Sequence, residues 1–385
     1  MRKLKIGAVG LGRAFSLMAP AFRDPRVELV AAADPRPAAL RQVGKDFGAQ
    51  GFSSLEEMLA NSVAEAVYVA TPHQLHAEQT MRICAAGKHV LVEKPMALTL
   101  KECRSMIDAA RKNRVKLVVG HSHSFDAPIR RTKELLASGA FGRVRMITAI
   151  DYTDFLYRPR RPEELDTSKG GGAIFNQAAH QVDMVRLLAG SPARSVRAMT
   201  GAWDAARPTE GAYSALLTFA SGAFAHLTYS GYAHFDSDEF MGWIGELGER
   251  KDPAAYGAAR RRLAAARDEQ KLKGARNYGG GDFAAPRPAF HEHFGVVVVS
   301  CDKADLRPTP EGVVIYADGE RRVAPLPAPR IHRAEVIDEL YDAVLDGRRP
   351  LHDGQWAAAT LQVCLAILDS ARKRKEIPFG KNRKG

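Results

Sequence analysis

The sequence lacks any apolar run of the length that crosses a bilayer, and it has only four cysteines in 385 residues. A membrane-spanning helix needs about 20 consecutive apolar residues. No basic stretch followed by an apolar one opens the chain, which argues against a signal peptide. The cysteines stand without CxxC spacing, a pattern typical of reduced thiols rather than of a disulfide framework. We therefore expect a cytoplasmic protein without a membrane segment.

The sequence also lacks a recognisable nucleic-acid-binding motif, although its formal net charge is +12. Part of the positive excess is local, in residues 260–276 and in the tail 372–384. A solvated basic face, or steering of an anionic small-molecule substrate, explains this distribution better than a nucleic-acid partner. We expect neither nucleic acid nor membrane among the partners.

The length exceeds what one hydrophobic core usually serves and predicts two domains. Strand and helix patterns alternate over residues 1–122, which predicts an α/β domain with a doubly wound parallel sheet that binds a dinucleotide. Successive strand patterns in residues 123–385 predict a second domain with an antiparallel sheet, closed by helices within residues 331–385. A basic, alanine-rich stretch at residues 249–293 interrupts these strands and is interpreted as an insertion, either a lid, an oligomer contact or a mobile loop.

The first strand runs into a glycine turn that contains Gly10 and Gly12, and a helical pattern follows. Glycines at such a turn permit close approach of a pyrophosphate. The second strand ends in Asp34, 22 residues after Gly12, which is the spacing expected for an acid on the adenosine ribose. The carboxylate of Asp34 favours NAD, whereas Arg13 and Arg36 leave NADP open. The alternative is a structural turn with a capping aspartate.

Two further strands of the first domain end in polar turns. One is followed by Thr71-Pro72 and His76, and the other by Glu93-Lys94-Pro95. Proline ends ladder pairing because it has no N–H, so Lys94 is predicted at the carboxyl edge of the sheet, where ligands bind in parallel sheets. On these residues alone, Lys94 could equally be a solvated lysine paired with Glu93.

The second domain begins with two histidines around a serine and contains two further polar clusters. His123 could face substrate or simply satisfy the linker backbone, and no further ligands support a metal site there. The loop with Arg158 and Arg160 could bind carboxylates through planar guanidinium forks, or could be solvated. Three glycines at 170–172 then open a predicted helix that places Asn176 and His180 on one face.

Taken in order, Gly10-Leu-Gly12, Ala70-Thr-Pro72 with His76, Glu93-Lys94-Pro95, and Gly170-Gly-Gly172 with His180 and Asp183 resemble the Gfo/Idh/MocA oxidoreductases. The resemblance covers nearly the whole chain. It implies a Rossmann domain, then an α+β domain with a large, open and mostly antiparallel sheet, and NAD(P)-dependent alcohol oxidation.

The resemblance also implies the site residues. Lys94 would lie near the nicotinamide, often beside a cis proline, and His180 beside the substrate alcohol, so these two are the predicted catalytic residues. Predicted substrate-binding residues are His123, Arg158, Arg160, Asn176 and His180. Predicted cofactor-binding residues are Gly10, Gly12, Arg13, Ala14, Asp34, Arg36, Thr71, Pro72, His76, Glu93 and Lys94. This chain departs from the family at Ser124, where arginine is common, and at Asn176, where aspartate is common.

Within the family, the chain is most similar to the phthalate 4,5-cis-dihydrodiol dehydrogenase branch, notably in residues 176–183 and 300–310. A carboxylated cis-dihydrodiol substrate would explain the arginine-rich loop. A sugar or inositol-type polyol dehydrogenase with the same core residues is the alternative among enzymes, and a non-catalytic NAD(P)-binding sensor is the alternative from another class. An open sheet face needs covering, which predicts a homodimer or homotetramer.

Overall fold

The computed structural model describes residues 2–281 and 288–380. Residues 282–287 of the predicted insertion and 381–385 of the predicted C-terminal segment lie outside the described residues. The chain forms two compact units. The described part of the first unit comprises residues 2–121, 268–281 and 330–361, and that of the second comprises residues 122–267, 288–329 and 362–380. Among the residues described, no helix is both long and apolar enough to cross a membrane.

The strands and helices are numbered in chain order. The strands are β1 Leu4–Val9, β2 Val27–Ala33, β3 Gln50–Phe52, β4 Ala66–Val69, β5 His89–Val92, β6 Leu117–Val119, β7 Val144–Tyr152, β8 Ala193–Gly201, β9 Ala212–Phe219, β10 Phe224–Ser230, β11 Val296–Cys301, β12 Ala304–Thr309, β13 Gly312–Ala317, β14 Glu320–Pro325 and β15 Ile377–Pro378. The α-helices are α1 Arg13–Met18, α2 Pro37–Phe47, α3 Leu55–Asn61, α4 His76–Ala85, α5 Leu100–Lys112, α6 Ala127–Ala137, α7 Ala179–Ala189, α8 Ala258–Ala264, α9 Glu269–Ala275, α10 Ala334–Leu345 and α11 Gly354–Lys373.

The first unit is built on a six-stranded parallel sheet in the order β3-β2-β1-β4-β5-β6. Its central strands β1 and β4 are apolar and almost wholly buried, as expected for a sheet covered on both faces. The strand order reverses between β1 and β4, and a crevice opens at the carboxyl ends of such strands. The predicted Rossmann fold is confirmed.

Two late segments belong to this first unit, although the linear boundary after residue 122 placed them in the second domain. The segment 268–281 packs there through Tyr278, whose side chain is buried beside Phe15. Helix α10 packs there as well, and the Tyr341 hydroxyl donates to the carbonyl of Arg2 at 3.0 Å. Buried aromatic contacts of this kind join segments that are far apart in sequence, so a single cut in the chain could not represent them.

The second unit is built on a nine-stranded sheet in the order β14-β13-β12-β11-β7-β10-β9-β8-β15. Only the β10–β7 pair is parallel, which confirms the mostly antiparallel sheet. Helix α7 packs against β7 and β10, and α6 against β12 and β13. Met146, Leu216 and Phe224 alternate with buried residues and expose apolar side chains on one face of the sheet.

One local prediction in the second unit is wrong. The residue pattern of 240–247 predicts a strand, but the structure has a 3-10 helix, Ser237–Met241, followed by a turn in which Gly242 and Trp243 have φ of +66° and +60°. Left-handed backbone cannot continue a strand. The helix predicted to follow the glycines at 170–172 and to reach Leu188 is present, and it contains a π-helical turn, Ile174–Ala178, immediately before α7. π turns inside helices often mark functional sites.

Candidate active site

The glycine turn at the end of β1 is shaped for close approach. Gly10 has φ of +84°, and a Cβ there would lie 2.8 Å from both the carbonyl oxygen of Ala70 and Cγ2 of Thr71. Only glycine fits here, because it adopts a positive φ readily and has no Cβ to clash with Ala70 and Thr71. The turn therefore lies directly beside the polar turn after β4, with Gly12 immediately before α1.

Asp34 is buried at the end of β2 and holds this turn. Its Oδ2 accepts from the backbone N–H of Leu11 at 2.7 Å, and its Oδ1 accepts from Nε of Arg36 at 2.9 Å. Arg36 also donates to the carbonyl of Leu11 at 2.7 Å. A carboxylate fixed beside a glycine turn fits the ribose hydroxyls of NAD, whereas it would repel a 2′-phosphate. Arg36 is engaged by that same carboxylate.

Phe15 stands where a third glycine is usual in such turns, and its ring fills the space between helix and sheet. The ring is fully buried and lies 5.8 Å from Phe22, 6.5 Å from Tyr68 and 4.8 Å from Tyr278, measured between centroids. An aromatic cluster therefore replaces close backbone packing here. Arg13 and Ala14 are half-buried at the start of α1, next to the turn.

His76 joins the two polar turns of the first unit. Its Nδ1 lies 3.0 Å from the carbonyl oxygen of Pro95, and its Nε2 lies 2.9 Å from that of Thr71. Burial, with a smaller contribution from the charge of Lys94, lowers the pKa of His76. Since both nitrogens face protein carbonyls, His76 positions the turns, and its contact with the cofactor stays a prediction.

Glu93 and Lys94, which follow β5, differ in their burial. Glu93 is buried, and its Oε1 accepts from the Tyr68 hydroxyl at 2.6 Å. Burial raises the pKa of Glu93, against the opposing charge of Arg333. Glu93 thus faces the interior, and its contact with the cofactor stays a prediction. Lys94 is half-buried and precedes a cis bond to Pro95, as the resemblance implied.

In the second unit, the glycine segment 170–172 and the π turn set the start of the helix that carries His180. A Cβ on Gly172, whose φ is +80°, would collide with the Glu210 carboxylate. That carboxylate accepts from the backbone N–H of Ile174 at 3.1 Å. Asn176 donates its amide to the carbonyl of Gly172 at 2.8 Å. An aspartate, the common family residue, could not donate this bond when ionised, so the amide is fitted to the segment it holds.

His180 packs in an aromatic and charged cluster with His123. The two imidazole rings lie 4.6 Å apart between centroids, and Phe294 lies 5.0 Å from His180 and 4.8 Å from His123. All three side chains are buried. The predicted pair His123 and His180 is therefore brought together, with an aromatic ring that the sequence did not single out.

His123 is held between two carboxylates. Its Nδ1 lies 2.7 Å from Oδ2 of Asp126, and its Nε2 lies 3.4 Å from Oε1 of Glu246. Burial alone would lower the pKa of His123, but Asp126 and Glu246 outweigh it and raise the pKa to about 10. His123 is therefore a cation at neutral pH, with His180 as its ring neighbour.

Arg158 and Arg160 face protein groups. Arg158 donates to Asp154 at 2.7 Å and to Glu246 at 3.3 Å. Arg160 donates to the carbonyl of Phe155 at 2.7 Å and stacks 3.8 Å above its ring. These contacts give the two guanidinium groups acceptors within the protein, and their binding of a substrate carboxylate stays a prediction. A sequence pattern cannot show which acceptor an arginine faces.

A parallel sheet with a glycine turn after its first strand, a buried carboxylate after its second and a lysine at its carboxyl edge is typical of an NAD-dependent dehydrogenase. Models of two domains match the chain: the oxidoreductase family NAD-binding Rossmann fold over residues 4–121, and the GFO/IDH/MocA C-terminal domain over residues 129–249. The chain belongs to the Gfo/Idh/MocA family of oxidoreductases.

Three similar proteins illustrate this membership. The 1-carboxy-3-chloro-3,4-dihydroxycyclo hexa-1,5-diene dehydrogenase of Comamonas testosteroni is 49% identical over 381 residues, covering 96% of this chain and 95% of that protein. A crystal structure from Bordetella bronchiseptica RB50, assigned as a dehydrogenase, superposes with a TM-score of 0.94 at 43% identity, covering 98% of this chain and 100% of that one. The WlbA dehydrogenase of Bordetella pertussis, in complex with NADH and UDP-GlcNAcA, gives a TM-score of 0.68 at 25% identity, covering 99% of this chain and 100% of that one.

The glycine turn offers a direct test of this geometry. We expect Gly10→Ala to lower the free energy of unfolding by about 2–4 kcal/mol, because left-handed strain of about 1–2 kcal/mol adds to a backbone clash. Gly48→Ala is the matched control, since Gly48 has φ of +70° but open space around its Cβ position. Chemical denaturation measures both, and NAD titration should show lost binding only for Gly10→Ala. Equal destabilisation by the two variants would contradict the clash.

Proposed function

We propose that this dehydrogenase oxidises a secondary alcohol of a carboxylated aromatic cis-dihydrodiol, such as phthalate 4,5-dihydrodiol. The observation that carries the proposal is the 49% identity, over 96% of the chain, to a relative named for a carboxylated dihydroxycyclohexadiene. The net charge of +12 is in keeping with an anionic substrate. The arginine loop does not add support, because Arg158 and Arg160 are engaged by protein groups.

His180 is proposed as the general base. Its imidazole accepts the substrate hydroxyl proton, which a neutral ring can do near pH 7. The ring of His123 lies 4.6 Å from that of His180, but Asp126 and Glu246 raise the pKa of His123 to about 10, so His123 is protonated and cannot act as the base near pH 7. His123 is then a positioning residue rather than a second base, because its nitrogens face Asp126 and Glu246.

Lys94 is proposed to stabilise the oxygen that becomes the carbonyl. Its Nζ donates a hydrogen bond to the alkoxide that develops as the proton leaves. The turn that carries Lys94 is held by His76, through the carbonyl of Pro95. Bound NAD⁺ would supply the acceptor for the hydride of the carbinol carbon. The product ketone then enolises to the aromatic catechol, so the substrate loses one hydride and one proton in total.

Asn176 supports catalysis without taking part in proton transfer. Its amide donates to the carbonyls of Gly172 and Gly170, at 2.8 and 3.3 Å. It therefore supports the segment before His180 in this chain, and its presence in place of aspartate is not evidence for a non-catalytic sensor. The exposed apolar residues of the second sheet, among them Met199 and Leu216, support the expectation of a homodimer or homotetramer.

The test is NADH formation by the purified protein with a matched series of substrates. The series contains a cis-dihydrodiol with two ring carboxylates, one with a single carboxylate, the same diol without a carboxylate, and myo-inositol. We expect kcat/KM for the carboxylated diols to exceed that of the uncarboxylated diol by at least about 100-fold, as one lost charged contact costs about 2–3 kcal/mol. Turnover of myo-inositol and of none of the diols would contradict the proposal and indicate a polyol dehydrogenase. Tight NAD binding without any turnover would favour a sensor.

A further inference from the structure

The inserted stretch carries a short segment, residues 274–281, that belongs to the dinucleotide unit. Its anchor is Tyr278, which is 1% exposed and meets the ring of Phe15 edge-on at 4.8 Å. The Tyr278 hydroxyl donates to Asp46 on α2. Phe15 lies three residues after Gly12, so the anchor fixes the segment beside the glycine turn.

The backbone of this segment is closely fitted to the first unit. The N–H of Asn277 donates to the carbonyl of Gly274 at 3.1 Å, and the N–H of Gly280 donates to the carbonyl of Asn277 at 2.8 Å. Gly279 has φ of +72°, and a Cβ there would lie 3.2 Å from Cα of Ala39 on α2. The chain therefore reverses at Asn277 in a defined turn that is packed against α2.

Asn277 presents its side chain to the second glycine of the dinucleotide turn. A Cβ built on Gly12 would have Oδ1 of Asn277 as its nearest neighbour, at 3.9 Å. In a dinucleotide turn, the second glycine is the position that the diphosphate approaches most closely. The side chain of Asn277 is half-buried, and a carboxamide can donate two hydrogen bonds as well as accept them.

We propose that residues 274–281 form a cofactor clasp, in which Asn277 donates its amide N–H to the diphosphate of NAD and Tyr278 holds it in place. The insertion thus contributes a binding residue to the cofactor site. This inference rests on the NAD-binding domain and is independent of the proposed substrate, so failure of either leaves the other standing.

The test is ligand affinity, measured on the purified protein by calorimetric titration without substrate. Asn277→Ala should weaken NAD binding about 10- to 100-fold, since one hydrogen bond to a charged group is lost. Asn277→Asp should weaken it further, because a carboxylate repels the diphosphate. Asn61→Asp is the matched control: Asn61 is exposed at the end of α3, near the amino ends of the strands, and its amide bonds the carbonyl of Glu57.

Two truncated ligands assign the contact to the diphosphate. We expect ADP to lose affinity as NAD does in the Asn277 variants, and adenosine to bind them as it binds the wild type. Unchanged melting temperatures without ligand would show that the variants fold normally. NAD affinity within twofold of the wild type in both Asn277 variants, or an equal loss for adenosine, would overturn the clasp.

Discussion

Replacing Lys94 by alanine is expected to lower kcat by about 10²–10³-fold while the Kd for NAD changes by no more than about threefold. Removing one donor that stabilises a developing oxyanion has costs of this size. Lys94 is suited to that role because it is half-buried at the carboxyl edge of β5, where the adjacent Glu93 points inward to Tyr68. The lysine therefore provides a fixed positive charge at the edge of the parallel sheet.

The matched control for this change is Lys101→Ala, an exposed lysine on α5 seven residues further along the chain. Steady-state turnover with a carboxylated dihydrodiol and calorimetric titration with NAD measure the two quantities separately. A loss of NAD affinity that parallels the loss of turnover would assign Lys94 to cofactor binding instead. Wild-type turnover in Lys94→Ala would remove it from the mechanism altogether.

Local patterns predicted the framework well. The apolar runs of β1, β2 and β4 lie where their β-favouring residues placed them, and Asp34 stands at the end of β2. The spacing of Thr99 and Glu102 predicts a capping box at the start of a helix, and α5 begins with that capping box. These features depend on residues within a few positions of one another, and short-range physics is what a single sequence shows most directly.

The partners of the site residues could not be predicted in the same way, because they are set by contacts between distant segments. Glu246, which contacts His123, is 123 residues away in sequence and lies in a stretch predicted as a strand. The same carboxylate engages Arg158. Tyr278 fills the space beside Phe15 across more than 200 residues. The sequence shows that the loop is rich in arginine. It does not show whether a guanidinium there binds substrate or contacts an acceptor of the protein itself.

Replacing His180 by alanine is expected to lower kcat by about 10²–10⁴-fold, the usual contribution of a general base. The buried cluster makes this prediction specific to His180. His123 lies 4.6 Å away and could be mistaken for the base, but Asp126 and Glu246 keep its pKa near 10, so it stays protonated across the neutral range. Of the two histidines, His180 is therefore the one that we assign as the base.

The dependence of kcat/KM on pH separates these roles. In the wild type, kcat/KM should fall as the pH drops below neutrality, because protonated His180 cannot accept the hydroxyl proton. This limb should vanish in His180→Ala and persist in His226→Ala, which alters an exposed histidine on β10. His123 adds a stability effect of its own. Its raised pKa stabilises the fold fully below about pH 6.5, and that stabilisation is lost as the pH rises through about 10. Loss of activity at low pH therefore cannot come from unfolding caused by the titration of His123. A low-pH decrease in kcat/KM that persists in His180→Ala would place the base elsewhere.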